Sequence, residues 1–360
     1  MNSSTKVIVS ILITLVLFVG CGEVAMTDEI DDSTKEEIIA FQQRADEFLS
    51  KRNFNGSVLV VKEGIVYFGE GYGMADVEND LPNERETIYL IGSLTKSFTS
   101  MAIMQLHESK KLNVNDPIDK YFPKYPNTSK ITIHHLLTHT SGIDPNPIDF
   151  SAFSELFDLN NNIIDKSVIT EILEVAAEKP LLFDPGTKFD YSNNGYMLLG
   201  AIIEEVSGLS FGEYIDEYIC KPLEMTSTGY NTSGVPLEEQ AIDASRSYSS
   251  NVNPVITYAG GGMHSTVDDL YRWDDAIRNN LLISKKSTDK MLTPFIDSYA
   301  YGWRISNKNE YIHTGNINGY RSLFIANTEK DYTVIILSNY PSTAEVNRIA
   351  QILISYIEEL

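Results

Sequence analysis

Ser93 and Lys96 are the residues of this chain best placed for nucleophilic chemistry. They belong to the sequence IGSLTKSFT, in which a polar stretch preceded by glycine leads into a helical pattern. On a helix, Lys96 would lie one turn after Ser93 on the same face, where its amine could take the serine proton during attack on a carbonyl. The spacing recurs at Ser3–Lys6 and Ser287–Lys290, but only the middle pair precedes an apolar helical segment. Taken alone, the pair could equally well be an ordinary helix start followed by a surface lysine.

Two further polar motifs follow along the chain. Tyr191-Ser192-Asn193 lies in a turn-rich loop before an apolar helical segment, and His313-Thr314-Gly315 lies beside strand-like sequence. Each also has a purely structural interpretation, since Tyr191 is one of 20 tyrosines and His313 could simply end a strand. Their joint occurrence, in this order after the serine and lysine, favours an active site.

The three motifs resemble those of the penicillin-recognising serine hydrolases, which are S-x-x-K, Y-x-N and K-T-G or H-T-G. Y-x-N with H-T-G is similar to the branch of class C β-lactamases, D-Ala-D-Ala carboxypeptidases, D-aminopeptidases and related esterases, and the histidine favours the peptidases. The resemblance runs from about Gly56 to the C terminus and includes residues 133–142 and 260–266. It implies an α/β (α+β) fold of the β-lactamase/transpeptidase type. In that fold, helices flank an antiparallel sheet, an all-α lobe is inserted, and the active site lies in the cleft between them.

The resemblance implies a catalytic role for several motif residues. Ser93 would be the nucleophile, and either Lys96 or Tyr191 would be the general base. The backbone N–H groups of Ser93 and Asn316 would form the oxyanion hole. Both candidate bases depend on positive charge near the site, because it favours a neutral lysine and a phenolate. A protonated His313 is expected to supply part of that charge.

The same resemblance implies substrate-binding roles for the remaining positions. Asn193 would bind the substrate's amide carbonyl and help hold Lys96, while His313 and Thr314 would meet the substrate's carboxylate or leaving group. Gly315 would allow the substrate to lie against the strand. Two more cations are candidates for binding that carboxylate: Arg304 and Arg321.

Three clustered histidines, His134, His135 and His139, suggest a metal site as an alternative. His135 and His139 have the i, i+4 spacing with which two ligands share one helical face. No carboxylate lies between them, and Thr140-Ser141-Gly142 would end the helix at once. The segment is therefore interpreted as structural, and neither a metal nor a cofactor is expected.

The N terminus predicts export. Residues 1–21 combine Lys6, an apolar run and a terminal small-residue stretch, which is typical of a signal peptide. The ending FVGC resembles a lipobox and predicts lipidation of Cys21; an uncleaved membrane anchor is the alternative, although fourteen apolar residues are few for a span. Residues 22–35 are interpreted as an acidic tether. The other cysteine, Cys220, is expected to be a buried apolar residue without a disulfide partner.

Residues 36–360 are expected to form the hydrolase domain. Its α/β lobe would comprise about 36–90 and 245–360, and its α lobe about 91–244. Local patterns predict a capping box beginning at Ser33, a hairpin over 56–76, strands at 320–326 and 332–338, and a closing amphipathic helix. Strands at both ends of the chain imply one sheet assembled from distant segments.

The most concrete function is a D-Ala-D-Ala carboxypeptidase or related D-peptidase that binds penicillin. A β-lactamase or an esterase on the same fold is the enzymatic alternative, and a non-catalytic sensor lipoprotein is the alternative from another class. The expected substrate is a small peptide, a β-lactam or an ester. A formal net charge of −22 argues against nucleic acid as a partner. Membrane contact is expected only through the N-terminal segment, and the pattern leaves the oligomeric state open.

Overall fold

A six-stranded antiparallel sheet forms the centre of the molecule. The computed structural model describes residues 30–52, 54–123, 128–145, 180–230, 239–244 and 254–360. The strands are β1 Gly56–Lys62, β2 Ile65–Tyr72, β3 Met74–Asp76, β4 Leu81–Pro82, β5 Tyr89–Leu90, β6 Gly229–Tyr230, β7 Met263–Ser265, β8 Arg304–Asn307, β9 Glu310–Ile317, β10 Tyr320–Asn327 and β11 Tyr332–Ser338. The helices are α1 Asp32–Ser50, α2 Thr95–Glu108, α3 Ile133–Leu137, α4 Asn193–Ser207, α5 Phe211–Ile215, α6 Val267–Arg278, α7 Lys285–Met291 and α8 Thr343–Glu358.

The central sheet has the strand order β2-β1-β11-β10-β9-β8, so strands from both ends of the chain pair with each other. β1 pairs with β11 from Gly56 opposite Ser338 to Lys62 opposite Tyr332. This confirms the predicted antiparallel sheet of distant segments. Two small sheets complete the fold: β3 pairs with β4, and three short strands form a sheet in the order β5-β7-β6.

Both faces of the sheet are covered, and the side chains of a strand alternate between two apolar cores. In β11, Val334 and Ile336 pack with α1 and α8 on one face. Ile335 and Leu337 pack into the larger core with α2, α4 and α6 on the other. A central strand with two buried faces explains the unbroken apolar run of β11.

The first helix begins earlier than the sequence predicts. The prediction of a cap at Ser33 is wrong, because Asp31 is the N-cap and its carboxylate accepts a hydrogen bond from the backbone N–H of Thr34 at 2.9 Å. Residues 32–35, expected in the tether, therefore belong to α1. Several successive capping residues occur here, and the local sequence does not choose among them.

The N-terminal predictions fall partly outside the described residues, since Cys21 and the rest of 1–29 are not among them. No helix within the described parts of the chain is long and apolar enough to cross a membrane. Cys220 is buried, as predicted, and carries a free thiol.

Candidate active site

The nucleophile candidate lies on a tight turn that leads into a buried helix. Gly92–Leu94 forms one 3₁₀ turn, and α2 follows directly from Thr95. Gly92 adopts φ +53°, and a Cβ there would lie 2.9 Å from the backbone nitrogen of Asn316 on β9. The position therefore requires glycine for both conformation and space. This close approach brings the backbone preceding Ser93 against β9.

Lys96 contacts Ser93 directly and is otherwise held by neutral oxygens. Its Nζ lies 3.1 Å from Ser93 Oγ, 2.7 Å from Asn193 Oδ1 and 2.6 Å from the carbonyl oxygen of Gly260. The side chain is fully buried. Among the described residues, no carboxylate forms an ion pair with it, and burial lowers its pKa to about 7. A substantial fraction of Lys96 is therefore an uncharged amine at neutral pH.

The carbonyl of Gly260 is held in place by a strained turn. Tyr258 has φ +41° and ψ −133°, which is an unusual conformation for a side chain of this size. Its carbonyl accepts hydrogen bonds from the N–H groups of Gly261 and Gly262. The turn thus supplies Lys96 with an acceptor 164 residues away in sequence. Gly260 was not predicted from the sequence to be part of the site, although three consecutive glycines, residues 260–262, mark the turn.

Tyr191 brings a phenol to the same place. Its ring centroid lies 4.8 Å from Lys96 Nζ. The hydroxyl oxygen is buried and has no hydrogen bond of normal geometry within the described structure. Burial raises the pKa of Tyr191, while the neighbouring Ser93 hydroxyl and the charge of Arg304 act in the opposite direction. The phenol is accordingly protonated at neutral pH, which makes it a proton donor rather than a base.

The prediction that His313 is protonated is wrong. Burial, followed by the charge of Lys96, lowers the pKa of His313 to about 3. Its Nδ1 lies 2.8 Å from the carbonyl oxygen of Thr314, so Nδ1 must carry the proton and donate it. Its Nε2 then accepts from the hydroxyl of Tyr299 at 2.9 Å. His313 is a neutral, fixed imidazole. Tyr299 was not predicted from the sequence to be part of the site, because no motif surrounds it.

On β9, the surroundings of Gly315 differ from those that the sequence predicts. A Cβ on Gly315 would lie 2.0 Å from the carbonyl oxygen of Ile91 and 2.2 Å from Ser322 Oγ. The missing side chain therefore makes room for the protein's own backbone rather than for substrate, so the predicted reason for a glycine at this position is wrong. Substrate binding at Gly315 stays a prediction. Thr314 and Asn316 are exposed and alternate with buried residues along the strand.

The motifs meet at a cavity of about 330 Å³. Its lining comprises Ser93, Tyr191, Arg304, Ile312, His313, Thr314 and Asn316. Arg304 is half-exposed there and pairs with Asp297 at 3.3 Å. Arg321 does not line this cavity: its guanidinium bonds Thr343 Oγ1 and the carbonyl of Tyr320. The structure thus brings together the predicted site residues, with Asn193 attached through Lys96, and separates Arg321 from them.

The three histidines of the alternative metal site do not share a helical face. Helix α3 ends at Leu137, and His139 follows with φ +56°. His134 instead bonds the hydroxyl of Tyr301 at 2.8 Å, and His135 accepts from the backbone N–H of Thr132 in a capping box. In the described parts of the chain, no group of three or more His, Cys, Asp or Glu side chains could hold a metal ion.

Comparison with known proteins identifies the family. A sequence model of the β-lactamase family matches residues 41–357. The chain belongs to the β-lactamase family of serine hydrolases. The PbpX protein of Bacillus subtilis, which carries a provisional penicillin-binding-protein name, is 31% identical to this β-lactamase-family hydrolase over 315 residues. That match covers 85% of this chain and 76% of PbpX.

Two further relatives agree with this assignment. Protein flp of Staphylococcus aureus is 30% identical over 308 residues, which cover 79% of this chain and 59% of flp. The crystal structure of a penicillin-binding protein from Bacillus halodurans superimposes with a TM-score of 0.72 at 28% identity and covers 88% of this chain and 98% of that one. The predicted β-lactamase/transpeptidase-like fold, and with it the resemblance to penicillin-recognising serine hydrolases, is confirmed.

Proposed function

We propose that this hydrolase is an exported D-Ala-D-Ala carboxypeptidase or related D-peptidase that forms an acyl-enzyme on Ser93 and binds penicillin. The observation that carries the proposal is the contact of 3.1 Å between Ser93 Oγ and the buried Nζ of Lys96. A serine hydroxyl attacks a carbonyl only when a base removes its proton, and an amine with a pKa of about 7 can do so at neutral pH.

The acylation step follows from the arrangement of these groups. Ser93 Oγ attacks the substrate's amide carbonyl carbon while its proton passes to Lys96 Nζ. The negative charge that develops on the carbonyl oxygen is accepted by the backbone N–H groups of Ser93 and Asn316. Collapse of the tetrahedral intermediate breaks the C–N bond, and Tyr191 donates its phenolic proton to the departing amine. Proton return from Lys96 to Tyr191 then restores both groups.

Hydrolysis of the acyl-enzyme uses the same groups again. A water molecule attacks the ester carbonyl and gives its proton to the neutral Lys96. The C–O bond to Ser93 breaks, and the serine oxygen takes the proton that Lys96 Nζ accepted from the water, which restores both groups. The first product is the amine that left during acylation, and the second is the carboxylic acid released here.

A peptide with a free carboxylate suits the charge of the cavity. His313 is neutral, so the guanidinium of Arg304 is the cationic side chain that the cavity lining offers besides the partly neutral Lys96 nearby. Arg304 shares its charge with Asp297, yet its side chain is 45% exposed and free to meet an anionic group. The exposed Thr314 adds a hydroxyl donor on the same strand.

The proposed export rests on the sequence of residues 1–21, with its apolar run and terminal Cys21. We infer cleavage before Cys21 and lipidation of its thiol. In that arrangement the hydrolase is tethered outside the cytoplasm, where peptides ending in D-alanine would be accessible. Residues 22–31 would then link the lipid to α1.

Intact-mass spectrometry tests these proposals together. The full chain, expressed in a Gram-positive host and extracted from membranes, is expected to lack residues 1–20 and to carry the added mass of a lipid. Incubation with a fluorescent penicillin is expected to add one penicilloyl group, mapped to Ser93 and absent in Ser93→Ala.

The alternatives give different results in the same experiment. A transient adduct with rapid consumption of the drug would identify a β-lactamase. Turnover of p-nitrophenyl acetate at Ser93 without any penicillin adduct would identify an esterase. Neither adduct nor turnover would indicate a non-catalytic binding protein. An unmodified N terminus beginning at Met1 would overturn the proposed export.

A further inference from the structure

The phenol of Tyr191 stands on a segment with no regular secondary structure. No helix or strand is found in residues 180–192, and α4 begins only at Asn193. A loop residue must be held by its neighbours if its hydroxyl is to stay within reach of the nucleophile, because small displacements of a catalytic group cost large factors in rate. The contacts around Tyr191 identify what holds it.

His139 contacts three consecutive residues of this segment. Its carbonyl oxygen accepts the backbone N–H of Asp190 at 2.8 Å. Its Nδ1 accepts the backbone N–H of Ser192 at 3.1 Å. Between these two bonds, its ring lies against the ring of Tyr191, with centroids 4.2 Å apart and planes inclined at 35°. The backbone on both sides of Tyr191 and its ring are therefore tied to one residue.

The protonation state of His139 is set by these bonds. Because Nδ1 accepts from Ser192, the proton of the neutral ring is on Nε2. Burial, followed by the charge of Lys96, lowers the pKa of His139 well below its usual value. The ring is therefore neutral, and its Nδ1 remains available as an acceptor.

His139 is itself firmly held. It is 1% exposed, and its ring lies between that of Tyr191 and those of Tyr196 and Tyr299, at centroid distances of 5.0 and 4.6 Å. Its backbone has φ +56°, a conformation in which histidine, asparagine and aspartate are enriched among residues other than glycine. This conformation directs the carbonyl and the ring toward the same segment.

We propose that His139 is a positioning residue that holds Tyr191 at the nucleophile through these three contacts, an inference that rests on the proposed acyl-enzyme function of Ser93. It acts on the reaction only through Tyr191. This role differs from the metal-ligand role considered for the same histidine.

The substitution His139→Asn tests the role of the ring. Asparagine tolerates the left-handed backbone, and its Oδ1 can still accept from Ser192, but no ring supports Tyr191. We expect the rate constant of Ser93 acylation by a fluorescent penicillin to fall about 10–100-fold. The matched control is His135→Asn. Like His139, His135 accepts a backbone N–H through Nδ1, but from Thr132 at 3.2 Å rather than from the segment that carries Tyr191. Its substitution is expected to leave the rate unchanged.

A double-mutant cycle with Tyr191→Phe separates positioning from general damage to the fold. Phenylalanine keeps the ring and removes the hydroxyl that His139 is proposed to place. We therefore expect His139→Asn to lose most of its effect on acylation in the Tyr191→Phe background. An equal reduction in both backgrounds would overturn the proposal.

The proposed function and this inference can fail separately. If wild-type protein is acylated at Ser93 but the cycle is additive, only the positioning role of His139 is wrong. If neither penicillin nor p-nitrophenyl acetate reacts at Ser93, both are wrong. Thermal unfolding of each variant shows whether enough folded protein is present for the comparison.

Discussion

Two fully buried ionisable residues in this molecule differ in whether an opposite charge lies beside them. Lys96 on α2 and Asp274 on α6 are both 0% exposed. Lys96 contacts neutral oxygens. Asp274 forms an ion pair of 2.8 Å with Arg278 and accepts hydrogen bonds from the hydroxyls of Tyr311 and Thr333.

The difference separates a reactive buried group from a structural one. Removing a charge from water is costly unless an opposite charge and hydrogen bonds compensate for it. Arg278 supplies that compensation to Asp274, although burial still raises the pKa of the carboxyl. Lys96 has no opposite charge among the described residues, so it lowers the cost by giving up its proton. A buried amine that is easily deprotonated is what a general base requires.

The largest expected effect comes from removing the amine. Lys96→Met should lower the rate constant of Ser93 acylation about 10²–10⁴-fold, because the general base is lost. The same variant should remain folded, since it removes a charge that is buried without a counter-ion. Acylation kinetics and thermal unfolding measure the two effects.

Lys286→Met provides the control for Lys96→Met, because Lys286 is exposed on α7. It should alter neither property. A Lys96→Met protein that keeps full acylation activity would show that Lys96 is not the base. A variant that fails to fold would contradict the contrast with Asp274.

Substitution of the structural residue Asp274 should have the opposite effect: it should lower stability and leave acylation unchanged. Asp274→Asn leaves the guanidinium of Arg278 without its buried partner and should lower the free energy of unfolding by about 3–5 kcal/mol. Acylation per folded molecule should stay unchanged. Asp275→Asn is the matched control, since the carboxylate of Asp275 accepts a hydrogen bond from the side-chain amide of Asn279 and, within the described parts of the chain, forms no such buried ion pair. Urea unfolding measures the loss, and a stable but inactive Asp274→Asn would contradict the assignment.

The smallest expected effect is the dependence of the acylation rate on pH. Because Lys96 must be neutral to act and its pKa is about 7, acylation should level off above about pH 8 and fall about tenfold per pH unit below about pH 6. The folded pKa lies below the usual value of 10.5, so the native state binds fewer protons between about pH 7 and 10.5. The contribution of Lys96 to stability should therefore become less unfavourable as pH rises through that window.

The pH dependence is measured as acylation rate against pH from about 5 to 9, within the range over which the amine titrates. In Lys96→Met, the rate of any residual acylation should no longer fall at acidic pH. The pH-dependent contribution of Lys96 to the free energy of unfolding should also be absent. A wild-type rate that stays constant down to pH 5 would point to a base with a lower pKa.

Much of the fold could be predicted because alternating and helical patterns are local properties. The hairpin at 56–76 and the strands β10 and β11 follow from apolar runs bounded by turns. The order of the motifs predicted that Ser93 and Tyr191 belong to one site, and both side chains line the same cavity. The first cap was wrong because Asp31 and Ser33 are both competent, and only the folded helix shows which one it uses.

The errors at the site have a common physical cause. The missing side chain of Gly315 was expected to make room for substrate, because its spatial neighbour Ile91, 224 positions earlier, is invisible in a local pattern. Arg321 was a candidate for the cavity, but strand register turns it toward Thr343. The charge of His313 was wrong because its burial and its bond from Tyr299 arise only when the chain is folded.

The sequence by itself determined which chemistry is available: a serine and a lysine one helical turn apart, a tyrosine and asparagine on a turn, and a strand with H-T-G. Only the tertiary structure decided how those groups are protonated. Lys96 is neutralised by burial and by contacts to Asn193 and Gly260, which lie 97 and 164 residues away. A pKa depends on the solvent excluded and the charges brought near, and both are set by packing between distant segments.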